Sequence, residues 1–239
     1  MIIILSHPQL GENIGGAARA ILNFGVDELR LVAPRDGWPS TRAAEMSAGA
    51  LEKMPPVQVF DTLPEALADL NFVLATTARP RDMVKSVFTP ESAAAEIRTR
   101  EGQAQKTALL FGRERTGLEN DEIALCQGII TIPTNPEFWS LNLAQSVLLT
   151  CHEYFKAGDK TPEHQFSHGD SFPVEQGKLE EFLTRLESEL EAGGFFKSPD
   201  LKPTMQRNIR AMLTRADLSD QEVKTLHGVV SALVGKKKA

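Results

Sequence analysis

The chain has 239 residues, 41% hydrophobic and 24% charged, with a formal net charge of −6 at pH 7. That length suits one α/β domain with a smaller module behind it, and no apolar run is long enough to span a bilayer. The opening Met1-Ile-Ile-Ile-Leu-Ser6 carries no basic stretch, so neither a membrane span nor a signal peptide is expected and the chain reads as cytosolic.

Strand and helix patterns alternate along the chain. Residues 2–5 read as a strand and 14–24 as a helix, then 29–33 as a strand and 41–53 as a helix. Strand 57–60, helix 64–70, strand 72–76, helix 90–100, strand 107–111, helix 119–126, strand 129–132 and the long helix 141–155 follow. Short strands buried on both faces and separated by helices imply an α/β fold, a parallel sheet covered by helices on both faces. Ligands in such sheets bind beyond the carboxyl ends of the strands.

Residues 1–158 are expected to form this domain, 159–174 a linker, and 175–239 a small α-helical module. In the module, Leu179, Phe182, Leu183, Leu186 and Leu190 make one apolar stripe. Met205, Ile209 and Met212, then Val223, Leu226 and Val230, mark two more helices, the last opened by Ser219 or Asp220 as N-cap. The charge is divided unevenly: residues 159–191 hold three basic and nine acidic side chains, and residues 192–239 nine basic and four acidic. A basic tail on an acidic body fits a contact with phosphates, and equally a solvated helical appendage. Cys126 and Cys151 lie among apolar neighbours, which reads as buried thiols and not as a disulfide or metal pair. His164 and His168 are four apart, but Pro162 and Gly169 place them in a loop with no third ligand, so no metal site is expected.

Three segments carry chemistry. The first, Gly11-Glu-Asn-Ile-Gly-Gly16, invites a dinucleotide reading, with Asp36 at the distance of a ribose-binding acid. Its glycines occupy positions one, five and six where that motif needs one, three and six, which counts against a nucleotide-dependent oxidoreductase. Asn13 and Arg19 stand six apart, about 240° around a helix, so they share a face only if Asn13 precedes the helix as a cap. The second segment is Leu109-Leu-Phe-Gly-Arg-Glu-Arg-Thr-Gly-Leu118, after an apolar strand. The third, Pro133-Thr-Asn-Pro-Glu-Phe-Trp-Ser-Leu-Asn142, joins a strand to a helix start. Three loops of one kind at strand ends point to one site.

Taken together, Asn13-x-Gly-x-x-x-Arg19, Phe111-Gly-Arg-Glu114-x-x-Gly117-Leu118 and Ile132-Pro-x-Asn135-Pro-x-x-x-Ser140-Leu-Asn142 resemble the three motifs of the SPOUT superfamily of RNA methyltransferases. The match is to the branch that methylates ribose 2′-hydroxyls, and more closely to the TrmJ-like tRNA methyltransferases. It covers residues 1–155 and extends loosely into the tail. The resemblance implies a deep trefoil knot after Ile132, an obligate homodimer, and S-adenosylmethionine held by Thr76, Thr77, Ala78, Gly112, Ile132, Ser140, Leu141 and Asn142. It implies catalytic roles for Arg19, Asn13, Glu114, Ser140 and Asn142. With a pKa above about 12, Arg19 suits phosphate clamping and alkoxide stabilisation better than general base work. The substrate implied is the ribose of pyrimidine 32 in a tRNA anticodon loop, with ribosomal RNA as the alternative. Arg79, Arg81 and Arg113 near the site, and Arg207, Arg210, Arg215 and Lys224 in the tail, are the expected RNA contacts.

Overall fold

In the computed structural model, which describes residues 1–78, 83–162 and 171–235, the chain divides into two units, residues 1–161 and 162–239. The first is built on seven parallel strands: β1 (Ile2–Ser6), β2 (Leu29–Val32), β3 (Gln58–Phe60), β4 (Phe72–Thr76), β5 (Ser86–Phe88), β6 (Thr107–Phe111) and β7 (Gly128–Ile130). They lie in the order β3-β2-β1-β6-β4-β7-β5. Register pairs Ile3 with Leu29 on one side and Leu109 on the other, and Leu74 with Leu109. Because side chains alternate across a strand, Ile3, Leu5, Leu31, Leu74 and Leu109 bury on one face, and Ile4, Val73, Ala75 and Leu110 on the other.

Helices α1 (Gly11–Asn23), α5 (Pro90–Gly102) and α7 (Leu143–Lys156) cover the first face through Ile14, Ile21, Ile97, Val147 and Cys151. Helices α4 (Leu63–Leu67) and α6 (Asn120–Ala124) cover the second through Leu63, Ala66 and Ile123. The helix expected over 41–53 is two, α2 (Thr41–Met46) and α3 (Ala50–Lys53), because Ala48 at φ 50° and Gly49 at φ 82° turn the backbone left-handed between them. Strand β5 was not expected; Ser86-Val-Phe88 is fixed by its pairing with β7, a long-range contact. Ile132 lies just past β7, outside the strand. Both cysteines are buried, and burial pushes each thiol up to about 12.

The second unit has helices α8 (Gln176–Ala192), α9 (Lys202–Arg215) and α10 (Asp220–Gly235). Leu179, Phe182 and Leu183 of α8 pack with Val223 and Val230 of α10. Helix α9 buries no residue; Arg210 tethers it by bonding Glu187 and Glu180 of α8, each at 2.7 Å. Ser219 caps α10, its hydroxyl accepting from the Glu222 N–H at 3.3 Å while the Glu222 carboxylate accepts from the Ser219 N–H at 2.7 Å. Residues 163–170 of the expected linker, with His164 and His168, lie outside the described residues. No described helix is long and apolar enough to cross a membrane.

Candidate active site at the carboxyl ends of the strands

Beyond the ends of β4, β6 and β7 lies an open cleft, about 790 Å³ when the solvent-open space at its mouth is included. Its walls include Thr76, Thr77 and Ala78 after β4, Phe111 to Gly117 after β6, and Ile132 with Trp139, Ser140 and Leu141 after β7. Seven of the eight residues implied as cofactor ligands therefore line one cleft; Asn142 does not. The loop after β6 folds back on its own strand end. A Cβ on Gly112 would come within 2.4 Å of the Gly117 carbonyl carbon and the Leu118 nitrogen, so only glycine permits the crossing. Thr76 Oγ1 is buried against this cleft and has no hydrogen-bond partner among the described residues.

A chain of hydrogen bonds joins the three sequence segments. The Glu114 carboxylate accepts from the Gln9 and Leu10 N–H groups at 2.8 and 3.0 Å and from Asn13 Nδ2 at 3.0 Å. Asn13 Oδ1 in turn accepts from Asn142 Nδ2 at 2.9 Å. Asn142 Oδ1 accepts from the Ala144 and Gln145 N–H groups and so caps α7. Asn13 is not the expected cap of α1: the helix begins at Gly11, Leu10 holds the N-cap position, and Asn13 sits in the first turn with its amide turned to Glu114 and Asn142. Arg19 therefore falls on another side of α1. It is exposed, lines no part of the cleft, and has no ion pair among the described residues. The glycines of the first segment serve helix packing, since a Cβ on Gly15 would meet the Ala43 carbonyl oxygen at 2.2 Å and one on Gly16 the Ala144 Cβ at 3.0 Å. That use accounts for spacing that fits no dinucleotide cradle.

A model of the SpoU rRNA Methylase family matches residues 1–152. The chain belongs to that family. Among its relatives, the tRNA (cytidine/uridine-2′-O-)-methyltransferase TrmJ of Klebsiella pneumoniae is 33% identical over 240 residues, covering 99% of this chain and 97% of that protein. The crystal structure of TrmJ from Z. mobilis ZM4 is 47% identical, with a TM-score of 0.85 over 97% of this chain and 98% of that one. The SpoU methyltransferase AviRb from Streptomyces viridochromogenes, solved in complex with the cofactor AdoMet, shares the fold at 18% identity and a TM-score of 0.53, over 65% of this chain and 57% of that one.

In this SpoU-family chain several expected RNA-facing cations are otherwise engaged. Arg113 bonds Glu122 at 2.9 Å and approaches Glu119 at 3.4 Å. Burial raises the Glu122 pKa, but the Glu119 N–H, the Ser6 hydroxyl and Arg113 together hold that carboxyl below its ordinary range. Arg113 thus anchors the loop to α6 instead of facing outward. Arg210 is tied to α8, and Lys224 pairs with Asp220 at 2.6 Å. Arg207 is exposed and bonds back to the Pro203 carbonyl and the Thr204 hydroxyl, whereas Arg215 is exposed with no ion pair among the described residues. Arg79 and Arg81 lie outside the described residues. Sequence reasoning gave no role to Arg115, Thr116, Leu143 and Ser146 of the cleft wall: the first two lie in the second segment at positions its motif leaves open, and the last two are marked only by proximity in space.

Proposed function

We propose that this protein transfers a methyl group from S-adenosylmethionine to the ribose 2′-hydroxyl of pyrimidine 32 in a tRNA anticodon loop. The observation that carries this reading is the Glu114–Asn13–Asn142 hydrogen-bond chain, which ties all three segments of the resemblance to one cleft in a chain 47% identical to a solved TrmJ. Thr76, Thr77, Ala78, Gly112, Ile132, Ser140 and Leu141 would hold the cofactor. The unpaired Thr76 Oγ1 fits it, because a buried hydroxyl without a partner calls for a polar ligand group. When bound, the cofactor supplies a sulfonium-activated methyl for in-line displacement.

The chain's own work is to position the ribose and stabilise the developing alkoxide. Asn142 and Asn13, held by Glu114, keep the start of α7 and the start of α1 in fixed relation at the rim. Arg19 supplies positive charge for the target phosphate and the alkoxide. Because Arg19 stands off the cleft of its own chain, this role requires that a homodimer complete the site. Leu148, Leu149 and Phe155 on α7 are exposed, and Phe155 packs on Phe24, just past the end of α1, with ring centroids 6.0 Å apart. A dimer through this face would cover them and enclose the exposed side of α1. The segment after Ile132 threads the trefoil knot of the superfamily, and the tail grips the tRNA body through Arg207 and Arg215. The setting is the cytoplasm, where tRNA is processed.

Full-length protein incubated with labelled S-adenosylmethionine and tRNA transcripts tests this. A nuclease-resistant 2′-O-methyl linkage after nucleotide 32 is the expected product. Label confined to ribosomal RNA, the substrate class in the family's description, overturns the substrate and leaves the chemistry.

A further inference from the structure

The loop after β6 carries three consecutive charges, and the described residues compensate two of them. Arg113 is bound by Glu122 and Glu119, and Glu114 by two backbone N–H groups and Asn13. Arg115, on the cleft wall and exposed, makes no hydrogen bond or ion pair among the described residues. Local geometry sets it at the tip: the Gly117 N–H bonds the Arg113 carbonyl at 2.9 Å, with Gly117 at φ 70°, and the tight turn projects Arg115 and Thr116.

A second turn borders the same cleft. The Phe138 N–H bonds the Asn135 carbonyl at 2.9 Å and the Glu137 N–H bonds Asn135 Oδ1 at 3.0 Å, which closes residues 135–138 and delivers two aromatic residues side by side. Phe138 is 80% exposed and Trp139, on the cleft wall, 42%. Rings this exposed, bordering the same cleft as a guanidinium with no ion pair among the described residues, complement a nucleotide, whose base offers a flat π face and whose phosphate offers negative charge.

We propose that Phe138 and Trp139 form a stacking platform for an unpaired base at the target position and that Arg115 binds the phosphate of the same strand. The proposal deepens the tRNA reading and rests on it for the identity of the RNA. A platform of this kind reads faces and not hydrogen-bonding edges, so cytosine and uracil are accepted alike. It also requires a base out of its helical stack, which selects loops over duplex.

Full-length Trp38→Phe protein retains Trp139 as the remaining one of two tryptophans, and its fluorescence on titration with a short unstructured oligouridylate, with S-adenosylhomocysteine present, tests the platform. Quenching is expected. Phe138→Ala in that background should weaken oligonucleotide affinity roughly tenfold, with recovery in Phe138→Tyr. Arg115→Ala should lower the salt slope of binding by about 0.7, one phosphate on a single strand, with recovery in Arg115→Lys. Affinity for S-adenosylhomocysteine should stay unchanged in both. Absence of quenching, or unchanged oligonucleotide affinity in Phe138→Ala and Arg115→Ala, overturns the platform. So does a Phe138→Ala variant that loses cofactor affinity, or one that dissociates a dimer without weakening oligonucleotide binding, since the rings would then belong to the cofactor pocket or an interface. Oligonucleotide binding with the expected variant effects but no methyl transfer to tRNA supports the platform and refutes the activity.

Discussion

Arg19 and Glu114 separate two kinds of work at the residue scale. Arg19 is exposed and makes no hydrogen bond or ion pair among the described residues, so its removal should cost the fold little. Arg19→Ala should therefore keep the affinity for S-adenosylhomocysteine while kcat falls roughly a hundredfold or more, as when a transition-state donor is lost. Equal loss of binding and turnover, by calorimetry and initial rates, would count against that role. Gly112→Val is expected to lose cofactor binding for a different reason. The added side chain meets backbone at 2.4 Å, so the loop must move and thermal stability should drop with affinity. Glu122 gives a pH signature. Its folded pKa is depressed, so its contribution is present above the ordinary glutamate value of about 4.3 and lost as pH falls through the lower folded value. Denaturant melts should show Glu122→Gln less stable than wild type at neutral pH, with the gap closing in acid.

Helix starts are where local chemistry decides position. Ser219→Ala removes one half of a capping box and should cost the second unit about 1 kcal/mol in denaturant unfolding, as N-cap losses commonly do. That cap was legible in the sequence because Ser-x-x-Glu is a local pattern. The parallel sheet was legible for a related reason, since strands buried on both faces read as uninterrupted apolar runs such as Ile2-Ile-Ile-Leu5. What eluded the sequence depended on distance in space. Strand β5 exists because Phe88 and Ser86 find partners on β7, 42 residues on. Asn13 was read as a cap since Asn favours that position, but Glu114, 101 residues away, recruits its amide instead. Ser146 of the cleft had no motif to announce it, and Arg115 lay inside the second segment at a position the motif leaves open. The ion pairs that occupy Arg113 and Arg210 likewise join residues that composition can only count.

For the whole molecule the division into two units, with opposite charge trends in the tail, bears on RNA binding. Deleting residues 159–239 should weaken tRNA binding and flatten its salt dependence, because each lost phosphate contact removes released counterions, while cofactor affinity persists in the first unit. An unchanged salt slope would assign the tail to assembly. Sedimentation at micromolar concentration should show a dimer that a charge at Leu149 dissociates. The Glu114–Asn13–Asn142 chain has a further reach. Its acceptors protect four backbone amides, Gln9 and Leu10 before α1, and Ala144 and Gln145 at the start of α7. These amides lie more than a hundred residues apart in sequence yet close through two side-chain amides, so they should open together. Hydrogen exchange at the four positions should then slow in concert when a ligand enters the cleft, and quicken in concert in Asn13→Ala. The start of one helix would thus report on the start of the other, making the rim of the site one cooperative unit.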